Sequence, residues 1–379
     1  MANEDKATRY HRSRRRAGVA SAAIGAGYLG LALVGGVSSA VRDAVGGVEG
    51  AAGALAAIGY GAIMATGFEI LRVPPAYYAG VTLERRYGLS VDPAAPWWRD
   101  QMSRSAATVA LAASGAALVS VLLRWTPDVA WVLTAIVLAV AVCSVAHVAP
   151  WLMRPPAGDA QPRVRQDLAD RLHAMADRCG TPLAEITVVC VSPRTRKASA
   201  TLVGLGASRR ILLSDTLLAE HDDDEVEVIV AHELAHAVHH DVGASLALQC
   251  LVIASGCYVA DWSLAALVGP LGLAGKIDLA ALPVAVLVAG AVSGAWLPVS
   301  NLLSQFQERR ADRFAVAATG NGPALVKALR HLGAVNLADP RPGRIADRWL
   351  HTHPSVASRI QAVQGAARAG LNQSTRQGR

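Results

Sequence analysis

The chain has 379 residues, 53% hydrophobic and only 17% charged, against roughly 45–50% and about 25% in soluble domains. That balance, with a mean hydropathy of +0.32, excludes a wholly soluble globule. It also excludes disorder, while five cysteines without a CxxC exclude a disulfide scaffold and 34 glycines without a three-residue period exclude a collagen-like fibre. The net charge of +7 is carried by arginine, with lysine only at Lys6, Lys197, Lys276 and Lys327. Arg9, Arg12, Arg14, Arg15 and Arg16 directly precede an uncharged run, the placement of a juxtamembrane arm on an anionic leaflet. No basic face is interleaved with aromatics, so no nucleic-acid partner is expected.

Six charge-free runs are long enough to cross a hydrocarbon core: Ala17 to Val41, Gly50 to Phe68, Ser105 to Leu123, Val129 to Met153, Val242 to Ala260 and Leu279 to Gln307. The second and third are rich in Ala and Gly, whose small side chains let helices approach closely, so they are expected inside a bundle. The first is longer than the apolar core of a cleaved signal peptide and is read as a retained anchor. Basic residues populate the N-terminal arm, the segment from Arg72 to Arg104, the segment from Arg154 to Arg210 and everything after Glu308. By the positive-inside rule, both termini and the large middle segment are expected in the cytoplasm of an integral cell-membrane protein.

The expected divisions are a basic arm (1–16), four spans (17–153) with a cytoplasmic loop near 72–104, a soluble segment (154–241), two further spans (242–307), a C-terminal segment (308–365) and a disordered tail (366–379). After Pro155-Pro156, apolar residues from Val164 to Arg178 recur at helical spacing, and Ile186 to Val191 reads as a buried strand. Ala198 to Gly204 and Arg210 to Ser214 read as two more strands. A helix follows from Glu225, with Asp222 to Asp224 at its start, where acidic residues complement the dipole.

That helix carries VIVAHELAHAVHHD, in which His232, Glu233 and His236 form HExxH. Two imidazoles four residues apart lie on one helix face and can take two corners of a zinc tetrahedron, with Glu233 beside the first as a general base. His239 and His240 overshoot that site and are read as solvated; Asp241 is expected to end the helix or bond a neighbour. A catalytic zinc needs a third protein ligand, and Glu308 is the best candidate, with Asp312 one turn later able to accept the outer N–H of a ligating histidine.

HELAH, the Glu308 to Asp312 ExxxD and His351-Thr352-His353-Pro354 with Arg359 together resemble the M48 family of integral-membrane zinc metallopeptidases. Within it, LERRYGLS at Leu83 to Ser90 followed by Trp98-Arg99-Asp100-Gln101 is similar to the Ste24 or CAAX prenyl protease branch, more than to the HtpX branch. The resemblance implies one Zn2+ per chain held by His232, His236 and Glu308, Glu233 as base, Asp312 behind a ligand, and His353 and Arg359 lining the site as catalytic groups that stabilise the tetrahedral intermediate. Without it, His353 and Arg359 read as solvated side chains of a helix N-terminal loop. It also implies a strand edge near Ser199, Ala200 and Gly204 that takes an extended substrate by β-augmentation; Ser199-Ala200 stands where the family usually has Asn-Ala. Six spans are one fewer than the seven of the eukaryotic enzymes.

The expected fold is therefore a predominantly α-helical polytopic membrane protein with a small α+β zincin-type peptidase domain on the cytoplasmic side. The expected activity is hydrolysis of protein or peptide substrates at the lipid bilayer. Heavy use of Ala, Gly and Arg points to a GC-rich bacterial genome, where prenylation is not expected, so membrane-associated proteins are favoured as substrates over CAAX processing. Two readings of other classes compete. A non-catalytic zinc scaffold predicts an altered Glu233, which is intact; a transporter predicts ionisable groups within the spans, where only His147 lies well inside and Glu69 and Asp261 sit at edges.

Overall fold

The computed structural model describes residues 2–46, 52–90, 94–152, 164–204, 206–338 and 353–365. The Pro155-Pro156 break, His351-Thr352 and the tail from 366 lie outside them. Six helices are long and apolar enough to cross a membrane, over Lys6–Val34, Gly53–Arg86, Pro96–Trp125, Ala130–Val148, Asp241–Leu267 and Leu279–Thr319. They match the six expected runs in order; all but the fourth, at 19 residues, are longer, because a charge ends an apolar run without ending a helix.

α1 (Ala2–Val34) absorbs the basic arm, and the expected first span breaks at Gly35-Gly36, after which Val37 to Val41 belong to a short α2 (Val37–Ala44). α3 (Ala52–Tyr77) passes through Pro74 and Pro75 into a π-helical turn at Tyr78–Thr82 and α4 (Leu83–Arg86); such a turn accommodates the hydrogen bonds that proline removes. α5 (Ala94–Trp125) then begins far earlier than its apolar run. The segment expected as a loop near 72–104 is thus largely helical, through Arg86 on one side and from Ala94 on the other. α6 (Ala130–Leu152) completes the N-terminal spans. α3 and α5 meet at small residues: a Cβ on Gly61 would lie 2.7 Å from the Ala112 carbonyl oxygen, the close approach that the Ala/Gly composition foretold.

The two ends of the bundle are distinct. At one, Arg42 pairs with Asp278 at 2.7 Å and Ser38 donates to the Ala280 carbonyl, joining α2 to the start of the last span. At the other, Tyr10 donates to Glu84 at 2.6 Å, and Glu84 also pairs with Arg14 and with Lys197. The N-terminal arm, the end of the α3 extension and the peptidase domain therefore share one side.

The peptidase domain comprises α7 (Gln166–Arg178), β1 (Glu185–Val189), β2 (Ala200–Val203), β3 (Arg210–Ser214), α8 (Asp215–Glu220) and α9 (Asp223–Val238). β3 is central, parallel to β1 and antiparallel to β2, with Ala200 opposite Leu213 and Val203 opposite Arg210. Ile211 and Leu213 of β3 are fully buried against Leu172, Met175, Val230 and Leu325, forming the domain core. α10 (Asp241–Leu267) and α11 (Leu282–Thr319) enter and leave the membrane; α12 (Gly322–Val335) and a final helix, α13 (356–365), return to the peptidase domain. α11 has 38 residues, about 57 Å at 1.5 Å each, so it crosses a hydrocarbon core of about 30 Å and continues into the domain with Glu308 and Asp312. Two of the three potential transport groups have polar partners: Glu69 accepts from Ser105 at 2.7 Å and Asp261 from Lys276 at 2.8 Å.

Candidate metal centre

α9 starts where its sequence says it should. Asp222 accepts from the Glu225 amide at 2.9 Å and Glu225 accepts from the Asp222 amide at 3.1 Å, a reciprocal capping box. Val226, Val230, Ala231 and Leu234 bury one side of the helix, which holds His232 and His236 in fixed register. The helix ends at His240, which takes a left-handed φ of 55°, and α10 begins at once with Asp241. His239 rests its ring edge on Phe314. Among the described residues, neither it nor His240 joins a metal-competent group.

His232, His236 and Glu308 each offer one ligand atom, and these atoms lie within 4.8 Å of one another. Both Nε2 atoms face Glu308, His232 at 3.4 Å from Oε2 and His236 at 3.7 Å from Oε1. Both Nδ1 atoms face other carboxylates: His232 lies 3.1 Å from Asp312 and His236 2.8 Å from Asp241. Each carboxylate accepts from the Nδ1–H and so directs Nε2, the nitrogen a metal would take, at the common centre. Glu308 is 5% exposed, and its Oε2 has no well-aligned hydrogen bond, only His232 Nε2 at 3.4 Å and Arg359 Nη1 at 3.2 Å. A buried, under-satisfied carboxylate between two oriented imidazoles fits a divalent transition ion with an open fourth position.

Arg359 closes the inner wall. It donates to both oxygens of Asp312, Nε at 2.8 Å and Nη2 at 2.6 Å, while Nη1 lies 3.2 Å from Glu308. His353, largely exposed, reaches Glu308 with Nδ1 at 2.9 Å. The fork of Arg359 on two carboxylates was not visible in the sequence, where the family resemblance implies instead a donor to the tetrahedral intermediate. Asp241 bonds a neighbour as expected, but it opens the next helix and the neighbour is a ligand candidate. The only signal for this was an acidic residue just past HExxH, and its use depends on the left-handed turn at His240.

Electrostatics follow from this burial. Although burial opposes protonation, hydrogen bonds to Asp312 and Glu308 raise the His232 pKa to about 9. Burial pushes the Glu233 carboxyl up, against the pull of His232 and His236, and a backbone hydrogen bond from Leu202 also holds it.

That bond ties the site to β2. Ser199 turns both main-chain groups toward β3, where it exchanges bonds with Ser214, so alternation directs those of Ala200 and Leu202 to the free edge. Asn336 occupies the same edge one step earlier, pairing with both the amide and the carbonyl of Ala198 at 3.1 Å. Gly204 ends the strand at φ 88°, where a Cβ would lie 2.4 Å from the Ser208 carbonyl oxygen. A separate cavity of about 430 Å³ lies within the membrane bundle among Leu29, Met64, Phe68, Leu123, Trp131 and Leu264; no residue of the metal centre lines it.

Comparison with known proteins agrees with this architecture. Residues 162–367 match Peptidase family M48, and residues 2–156 match CAAX prenyl protease N-terminal, five membrane helices. In that second region the described residues hold four candidate spans and the short α2. The chain is 33% identical over 219 residues to Uncharacterized metalloprotease YhfN of Bacillus subtilis, covering 57% of this chain and 51% of that protein. It is 26% identical over 312 residues to the CAAX prenyl protease 1 homolog of Arabidopsis thaliana, covering 78% and 70%. It thus spans about half the length of the first relative and more of the second. The crystal structure of S. mikatae Ste24p shares its fold, with a TM-score of 0.81 at 19% identity over 96% of this chain and 89% of that one.

Proposed function

Because the chain belongs to peptidase family M48, we propose that it is a multi-pass membrane zinc endopeptidase that hydrolyses membrane or membrane-associated proteins. The observation that carries this reading is the convergence of His232 Nε2, His236 Nε2 and Glu308 on one point, each backed by a further charged residue, with Glu233 beside them. We assign His232, His236 and Glu308 as the ligands of one zinc, and Asp312 as the group that fixes the His232 tautomer. Zinc bound there supplies a Lewis acid for the scissile carbonyl and activates water at neutral pH.

The chain's own residues do the rest. The free edge of β2 at Ala200 and Leu202 pairs with an extended substrate strand. Glu233, with its pKa raised by burial, takes a proton from the attacking water and returns it to the leaving amine. The exposed His353 presents a donor to the developing oxyanion. Arg359, spent on Asp312 and Glu308, contributes by holding those carboxylates rather than by contacting substrate.

α9 ends where the α10 span begins, and Glu308 follows the apolar stretch of α11. The site therefore lies at a membrane surface, which supports substrates already tethered there; the arginine distribution supports the cytoplasmic side. The test is cleavage of an unfolded casein-like protein by the detergent-purified chain. Activity lost to a chelator and restored by zinc is expected; chelator-resistant activity would remove the metal from the mechanism.

A further inference from the structure

A second cluster lies at the other end of the same helix. His221 ends α8 in the short link to α9, Glu225 sits in the first turn of α9, and His331 comes from α12. One ligand atom from each lies within 4.8 Å of the other two. His221 is 7% exposed and Glu225 1% exposed, yet neither ring nitrogen of His221 nor Oε1 of Glu225 has a hydrogen-bond partner. The His221 and His331 rings stack with centroids 4.2 Å apart, and His331 Nδ1 stands 3.5 Å from Glu225 Oε1. Glu225 Oε2 is already engaged by the Asp222 amide at 3.1 Å and faces Lys327 at 3.5 Å, which fixes the carboxylate with its other oxygen toward the two rings.

Buried polar atoms without partners are costly, and a ring nitrogen of His221 brought together with Oε1 of Glu225 beside His331 needs an explanation. We infer that His221, Glu225 and His331 form a second metal site that takes a zinc-class divalent ion and fastens α12 to the start of the HExxH helix.

Two imidazoles and one carboxylate suit zinc or a neighbouring transition ion, whereas calcium and magnesium need more oxygen ligands. Ligand bonds of about 2.0–2.1 Å in a tetrahedron place neighbouring donor atoms about 3.3 Å apart, so modest side-chain rotation closes the set. His331 is only half-buried, which leaves a route for the ion and room for water as a fourth ligand. Glu225 precedes His232 by seven residues on one helix, about 10 Å along its axis. The ion there is out of reach of the peptide bond and serves to anchor the helix that presents His232 and His236.

The test is a zinc count on the full chain, purified in detergent without a histidine tag, stripped of metal and dialysed against zinc. Wild type holds two ions per chain, His331→Ala one, the His232→Ala/His236→Ala protein one, and the triple variant none. Zinc raises the melting temperature of the His232→Ala/His236→Ala protein but not of the triple variant. His331 is the position to change because Glu225 also caps α9. Should the variants lacking His232 and His236 fail to fold, wild type against His331→Ala still decides, at two ions against one. Equal counts in those two proteins, or no zinc-induced shift in the His232→Ala/His236→Ala protein, would overturn the second site.

Discussion

Asp241 Oδ2 lies 2.8 Å from His236 Nδ1, joining the first residue of a membrane-spanning helix to the last turn of the helix that bears HExxH. The same carboxylate pairs with Arg310 of α11, and the Asp241 carbonyl accepts from Gln307 at 3.2 Å. The orientation of one metal-ligand candidate is thereby fixed by the place where the chain enters the bilayer. Asp241→Ala should weaken zinc binding at the HExxH centre, or cleavage, by about 10–100-fold, the usual cost of losing a group behind a ligating histidine. Zinc competition with a chromogenic chelator measures it, and wild-type affinity together with wild-type cleavage would show that the contact orients nothing.

The His232 pKa of about 9 in the metal-free protein sets a pH dependence with a defined sign. The folded value is raised above the ordinary histidine value of 6.5, so the stability from protonated His232 is fully present below about pH 6.5 and is lost as pH rises through about 9. Zinc needs the neutral imidazole and must displace that proton. Apparent zinc affinity should therefore rise about tenfold per pH unit between 7 and 9, then level off. Calorimetry in buffers of different ionisation enthalpy should find about one proton released from His232 per zinc at pH 7.5.

Arg359 is buried between Asp312 and Glu308 and satisfies the first through two hydrogen bonds. Arg359→Met leaves Asp312 and Glu308 without the guanidinium that pairs with both, and breaking a buried pair in this way costs about 3–5 kcal/mol. Zinc at Glu308 supplies replacement positive charge, so the loss of melting temperature should be larger in the metal-free protein than in the zinc-loaded one. Arg359→Lys keeps the charge but not the fork and should fall between the two.

Ala200 turns its amide to the free edge of β2, a position where proline removes a donor without breaking the ladder to β3. Ala200→Pro should raise KM by about tenfold if one substrate hydrogen bond is lost, with the melting temperature near that of wild type. An unchanged KM on a peptide substrate would place the peptide elsewhere.

Much of this was legible because it is local. HExxH is an i, i+4 pattern, the capping box at Asp222 is an i, i+3 pattern, and six apolar runs announce six spans by length alone. Glu308 and Asp312 were legible through their position at the end of an apolar run and through family resemblance. What escaped depends on backbone geometry or distant pairing. Charges at Arg72 and Arg104 suggested a loop, but α3 and α5 carry on past the bilayer because arginine is a good helix former. The contact of Asp241 needs the left-handed His240, and the clamp of Arg359 joins α13 to α11 across 47 residues. The approach of His331 to Glu225 likewise appears only when α12 is packed on α9.

Glu233→Gln tests the central claim most directly, because it removes the base while leaving His232, His236 and Glu308 in place. The measurement is metal content and casein-like cleavage on the same detergent-purified preparation. The variant should retain the zinc content of wild type and lose cleavage by at least about 10²–10⁴, the usual contribution of a general base. Undiminished turnover with zinc bound would contradict the assignment of Glu233 and the mechanism built on it.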